Sequence, residues 1–273
     1  MTLQAPSFAP SAPAPETASG PGSAPTSTSV SVSTPPPAGA PAGAQAVRRA
    51  LDVLRCFQDY GPEPSASDLA RRLGLSTSTA HRLARTLLAA GFLEQDPRTA
   101  RYRLGPVVTE LGRISYHQRG LHLAGPELRD LAERTGGTVA LALRGGAHAV
   151  TVAGGTVTPR TSLRRPLRAT APGRVLLAWP GPGEPADAAD PQGARIRERG
   201  HLLAEDEPQP GARTLAVPVL DRDGRARFAL AVRAEARLLS DARLDWFLAR
   251  TTACARALEV LLLPPGERRV PEA

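Results

Sequence analysis

The chain has 273 residues, 41% of them hydrophobic, which is enough for two modest domains with real cores once a polar tail is set aside. Its formal charge is +8, and all 34 of its basic side chains are arginine, a residue that grips phosphate and guanine bidentately, although a codon-level preference explains the lack of lysine better than function does. Two distant cysteines, Cys56 and Cys254, exclude a disulfide framework and a thiolate metal site, and the absence of a signal peptide or an 18-residue apolar run leaves a reducing cytoplasm as the expected compartment, with no membrane partner.

Residues 1–43 are a mixture of Pro, Ala, Ser, Thr and Gly with one charge, Glu16. Such a segment buries too little apolar surface to offset its ordering entropy and is expected to be disordered, either as a flexible arm or as the product of an upstream start codon. A helix follows from Gln45 to Tyr60, with Val47, Ala50, Leu51, Leu54 and Phe57 on one stripe and Gly61-Pro62 as its stop. Then Ser67 precedes Leu69, Ala70 and Leu73 on a short helix closed by Gly74. Ser76 is placed to cap the next helix, on which Ala80, Leu83, Ala84, Leu87 and Leu88 face a core. Thr77, Ser78, Thr79, His81, Arg82 and Arg85 are left on its outer surface, suited to a major groove. Gly91 ends this helix, and a hairpin runs from Phe92 to Gln95, turns at Asp96-Pro97 and returns through Tyr102 and Leu104. Arg98, Arg101 and Arg103 lie on or beside it, so the segment reads as a winged helix-turn-helix whose wing touches phosphates. Ten arginines against six acidic residues over 45–105 support nucleic-acid binding weakly, since 106–273 is also basic.

Gly105-Pro106 opens a linker helix with Val107, Val108, Leu111 and Ile114 on its apolar side; a dimer contact is the alternative reading of that face. Beyond Gly120 the pattern predicts a helix over Leu123–Thr135 and a hairpin of Thr138–Leu143 with Ala147–Ala153 turned at Gly145-Gly146. A short helix over Pro172–Trp179 and a surface loop over Pro180–Gln192 follow, then the end of a helix at Ile196–Gly200. Strands Thr214–Leu220 and Arg227–Arg233 flank the Asp221-Arg222-Asp223-Gly224 turn, and a final helix spans Ser240–Leu263. The fold class is therefore α+β.

In order along the chain, the segments AVRRALDVLRCF, SDLARRLGLSTSTAHRLARTLLAAGFL, RYRLGPVVTELG, PLRATAPGRVLLA, RERGHLL and GARTLAVPVLDRDG resemble the IclR family of bacterial transcriptional regulators over roughly residues 45–263. The resemblance implies a winged helix-turn-helix over 44–105, a linker helix over 106–120, a GAF-like effector-binding domain over 121–264 and tails at 1–43 and 265–273. It also implies a homodimer or homotetramer on a palindromic double-stranded operator, a small-molecule effector and no cofactor. It assigns Ser76, Thr77, Ser78, Thr79, His81, Arg82, Arg85 and Arg101 to DNA, and Arg168, Ala171, Pro172, Glu205, Thr214, Ala231 and Arg233 to the effector. Several effector positions depart from the family pattern: Arg168 stands where a His is common, Arg174 for a helix Lys, Thr214 for a frequent Cys, and Ala231 and Arg233 for small hydroxyl residues. If Arg168 or Arg233 points inward, its guanidinium needs an anion and an organic acid is favoured; if strand alternation turns Arg233 to solvent, no such preference follows.

Two rival functions are weighed. An enzyme needs a nucleophile with a base or a metal cluster, and none stands out: His117 and His122 lack acidic or Cys partners at ligand spacing, and Glu205-Asp206-Glu207 reads as a solvated run. The other is an interaction adaptor whose pocket has decayed.

Overall fold

The computed structural model describes residues 42–58, 63–155, 163–181, 190–205 and 211–269. The expected disordered arm, the Gly61-Pro62 stop and most of the expected loop at 180–192 fall outside these residues. The first helix, α1, spans Ala42–Arg55 and ends short of Tyr60. Its last turn tightens, with the amides of Cys56 and Phe57 donating to the carbonyls of Val53 and Leu54 at 3.1 and 3.2 Å. Val53 is fully buried, whereas Val47 and Leu51 of the expected stripe are 61% and 51% exposed.

The second helix, α2 (Ala66–Leu73), is capped by Ser65 rather than opened at Ser67. The Ser65 hydroxyl accepts from the Asp68 amide at 3.2 Å, and the Ser65 amide donates to the Asp68 carboxylate at 3.0 Å, a reciprocal capping box. Gly74 (φ 62°) turns the chain into α3 (Thr77–Ala89), capped as expected by Ser76. Helix α3 ends in a Schellman motif: Gly91 is left-handed (φ 73°), its amide donates to Leu88 at 3.0 Å, and the Phe92 amide donates to Leu87 at 2.9 Å. The wing strands β1 (Leu93–Gln95) and β2 (Tyr102–Leu104) pair antiparallel. Leu69, Leu83, Leu93 and Tyr102 fill the core beneath them, whereas Leu88, expected there, is 38% exposed.

Helix α4 (Pro106–Gln118) starts with proline at its first turn and contains no buried residue. Left-handed Gly120 leads into α5 (Leu121–Thr135). The strands that follow are β3 (Thr138–Gly145), β4 (His148–Gly154), β5 (Arg164–Pro166), β6 (Leu202–Glu205), β7 (Ala212–Leu220) and β8 (Ala226–Glu235). Among the described residues they form one antiparallel sheet in the order β5-β4-β3-β8-β7-β6. The two expected hairpins are its centre; β5 and β6, three and four residues long, are edges that carried no usable alternation. Helices α6 (Ala171–Ala178), α7 (Pro191–Arg199) and α8 (Leu244–Leu262) complete the α+β fold. Asp190 caps α7 with Pro191 in its first turn, so this helix begins inside the segment expected to be loop.

The two sheet faces differ in side-chain size. Val139, Leu141, Leu215, Val217, Leu230 and Val232 pack with α5 and α8. Ala149, Ala216, Ala229 and Ala231 pack with Ala171, Val175 and Leu176 of α6 and Ile196 of α7. Gly173 allows α6 to sit close to the preceding turn, since a Cβ there would lie 2.1 Å from the Leu167 carbonyl oxygen.

Phe247 is fully buried on α8, so Phe247→Ala is expected to cost about 3–5 kcal/mol, read as a lower denaturant midpoint. Burial pushes the Cys254 thiol up to about 12, and thiol labelling at mildly alkaline pH should spare Cys254 until the domain unfolds.

Candidate nucleic-acid interface and effector face

The capped start of α3 holds three hydroxyls together: Ser76 Oγ lies 2.8 Å from Thr79 Oγ1, 3.1 Å from Ser78 Oγ and accepts from the Thr79 amide at 3.3 Å. These groups build the helix end and satisfy the Thr79 amide there. Thr79 is half-buried, so its hydroxyl serves the cap. Thr77, His81, Arg82 and Arg85 are exposed and, among the described residues, make no side-chain hydrogen bond or ion pair. The opposite side of α3, through Ala80, Leu83, Ala84 and Leu87, is buried, so these polar side chains stand on a rigid base.

The wing arginines differ. Arg103 donates to Glu94 at 2.7 Å across the β1–β2 pair, and that partner raises its pKa. Arg101 Nη1 donates to the Glu63 carbonyl at 2.5 Å and lies 3.7 Å from Asp68 Oδ2. Arg98 sits at the hairpin tip, where the Asp96 carboxylate accepts from its backbone amide at 2.7 Å, and its own side chain is exposed. Beneath the wing Tyr102 is fully buried; burial raises its phenol pKa against the opposing charge of Arg85.

On the sheet, Arg233 is paired in register with Thr138 on β3 and Thr214 on β7, and Ala231 with Ala140 and Ala216. Directly opposed residues share a face, and successive alternate residues of β8 do too. Half-buried Arg233 and Thr214 therefore lie on the alanine face that α6 covers, along with Ala231, Ala229 and Ala216. Arg233 is thus on the inner face of the sheet, half-buried, with its register partner Thr138 exposed. Ala171 is buried against that face and Pro172 is half-buried beside it. Glu205 is brought elsewhere: it opposes Arg213, one residue out of phase with Thr214, and is exposed. Arg168 is exposed too, 3.9 Å from Asp190, at the rim of a cavity of about 250 Å³ with Arg174, Gln192 and Ile196. Sequence reading missed Thr138 and Ala140; cross-strand register, invisible before the pairings are known, puts Thr138 opposite the arginine and Ala140 opposite Ala231 two residues away. A larger cavity, about 1010 Å³, lies between α1, β2 and α4 on one side and Val150, Leu163 and Arg164 on the other.

A helix-turn-helix with a two-stranded wing, followed by a sheet-and-helix domain, is the arrangement of a DNA-binding regulator, and the similarities to known proteins agree. The IclR helix-turn-helix domain matches residues 46–97, and the bacterial transcriptional regulator IclR C-terminal domain matches residues 191–260. The chain is 31% identical over 252 residues to the HTH-type transcriptional regulator XynR of Escherichia coli K12, covering 81% of this chain and 98% of that one. It is 30% identical over 257 residues to BhcR of Paracoccus denitrificans, covering 83% and 91%. Among solved structures, a putative ICLR transcriptional regulator from Silicibacter sp. TM1040 superposes with a TM-score of 0.71 at 25% identity, covering 83% of this chain and 98% of that one. An IclR homolog from Microbacterium hydrocarbonoxydans, crystallised with 4-hydroxybenzoate, shares the fold with a TM-score of 0.61 at 23% identity, covering 79% and 99%. The chain belongs to the IclR family of transcriptional regulators.

Hydrogen bonds from the Ser65 amide and then the Ser65 hydroxyl hold the Asp68 carboxyl below the usual carboxylate range, with Arg71 and Arg101 adding to the shift. Because the folded value is depressed, this cap stabilises above the ordinary carboxylate range and its contribution is lost as pH falls through the lowered value. Asp68→Asn should flatten the acid limb of the stability–pH curve of the winged helix, followed by circular dichroism.

Proposed function

We propose that residues 44–105 read a palindromic operator, that 106–120 link, and that 121–264 sense a small organic acid that alters operator affinity, making the protein a ligand-controlled repressor or activator in the cytoplasm. The observation that carries the DNA half is the row of uncommitted Thr77, His81, Arg82 and Arg85 beside a Ser76-capped helix end. Ser78 adds a hydroxyl at that end, and Ser76 and Thr79 hold it in place. The two arginines suit guanine edges or phosphates. On the effector side, support comes from Arg233 standing in register with Thr138 and Thr214 at the end of an alanine-lined face, where a carboxylate would find charge and hydroxyls and its apolar body would find small side chains. Ala171, Pro172 and Ala231 are then walls, Arg168 belongs to the rim, and Glu205 lies on the far side.

Dimerisation fits the same reading. Helix α4 carries Leu111 and Ile114 at 50% and 45% exposure, α1 carries Val47 and Leu51, and the cavity beside them is wider than most small ligands need. A second copy covers these side chains and sets the distance between two recognition helices. An effector that favours one spacing then changes operator affinity, and DNA changes effector affinity by the same factor. Similarity to regulators along most of the chain favours this role over an enzyme carried to DNA by a winged helix.

The test begins with duplexes selected from a random pool by the purified protein. Arg82→Ala and Arg85→Ala should each weaken binding by about 1–3 kcal/mol, one or both with relaxed preference at one base pair. Calorimetric titration with a panel of small carboxylic acids should give heat with the wild type and none with Arg233→Ala; heat that survives the substitution removes Arg233 from the site.

A further inference from the structure

Of the three wing arginines, one is turned back into the protein. Arg101 Nη1 donates to the carbonyl of Glu63 and approaches the carboxylate of Asp68. That carboxylate already closes the capping box of α2 by accepting from the Ser65 amide and, at 2.8 Å, from the Ser65 hydroxyl. The next residue continues the attachment, as the Tyr102 amide donates to the Pro64 carbonyl at 2.9 Å. Residues 63–68 are therefore sewn to β2 by two main-chain carbonyls and one carboxylate. Helix α2 in turn packs against α3 through Leu69, Ala70 and Ala80. The chain of contacts runs from wing to α2 to recognition helix.

We propose that Arg101 is a positioning residue that fixes the wing relative to the recognition helix, and that Arg98 at the wing tip is the side chain that meets the DNA phosphate. Arg103 is held by Glu94, and the Arg98 side chain makes no hydrogen bond or ion pair among the described residues, so it reaches an external anion without breaking an internal side-chain contact. An arginine already bonded to a carbonyl loses that bond if it turns to a phosphate, and Asp68 is left beside the polyanion. This assignment rests on the reading of the protein as a DNA-binding regulator, but half of its test does not.

In the free protein, Arg101→Ala and Asp68→Asn should each speed amide hydrogen exchange in β1 and β2 about tenfold or more, with α3 protection retained as the check on folding. Unchanged wing protection in Arg101→Ala overturns the tether whether or not DNA binds. With the selected duplex, Arg98→Ala should lower the slope of log affinity against log salt by about one, the signature of one lost phosphate contact. Arg101→Ala and Asp68→Asn should weaken binding at unchanged slope, and the double variant should be no worse than the weaker single variant. A drop of about one in slope for Arg101→Ala, with Arg98→Ala indistinguishable from wild type, overturns the assignment in favour of a direct contact by Arg101. A wild-type protein that selects no duplex counts against the regulator reading, while the exchange measurement still decides the tether.

Discussion

Strand β8 is buried on both faces, and most of the C-terminal half of the molecule follows from that. Phe228, Ala229, Leu230, Ala231 and Val232 are consecutive and all buried, with β3 and β7 bonded on either side. A strand in that position must present one side-chain size to each layer. Its large residues meet α5 and α8, where each fully buried Leu or Val contributes about 1.5–3 kcal/mol. Its alanines meet α6, whose start is held close to the Leu167 turn by Gly173. Surface ion pairs such as Arg134 with Asp130 at 2.7 Å stand in solvent and add little. Burial, not charge, decides this domain, and the small residues that admit α6 also leave the space in which Arg233 and its flanking threonines stand.

The N-terminal half depends on a different economy of contacts. Its core is small, so helix ends and turns carry much of the definition: the Ser65–Asp68 box, the Ser76 cap and the Schellman close at Gly91. Gly105 packs so closely that a Cβ would lie 2.3 Å from the Gly91 carbonyl, and its amide donates to Phe92 at 2.8 Å. The turn that closes α3 and the start of α4 thus meet at two glycines. Helix α4 therefore begins in direct backbone contact with the turn that closes α3.

How much of this was legible in the residues varied with how local the signal was. Ser76 before an apolar repeat and Gly91 after it specify α3 at both ends, because caps and periodicity are short-range properties. The hairpins β3–β4 and β7–β8 were equally readable from turn residues between apolar runs. Ser65 was passed over for Ser67 although Asp68 three residues later marks the box, a signal that was present and missed. Other features depend on partners distant in sequence. Which residues flank Arg233, and that Glu205 is out of phase with Thr214, follow from register between strands. Arg101 looked like its neighbours on the wing because nothing nearby in sequence reveals that it reaches Glu63 and Asp68. Val47 and Leu51 share the helical stripe with buried neighbours yet stay exposed, since amphipathicity identifies an apolar face without saying what covers it.

The outer face of α3 bears arginine and no lysine, as does the whole chain. A guanidinium keeps its charge across any pH the protein survives, and it offers no amine for acylation. On the proposed reading, the attraction between this surface and a phosphate backbone is therefore not turned down by lysine acetylation or by proton loss from the arginines. On that reading, a signal that moves these arginines relative to the duplex alters affinity without altering their charge, so that control at the arginines becomes a matter of distance.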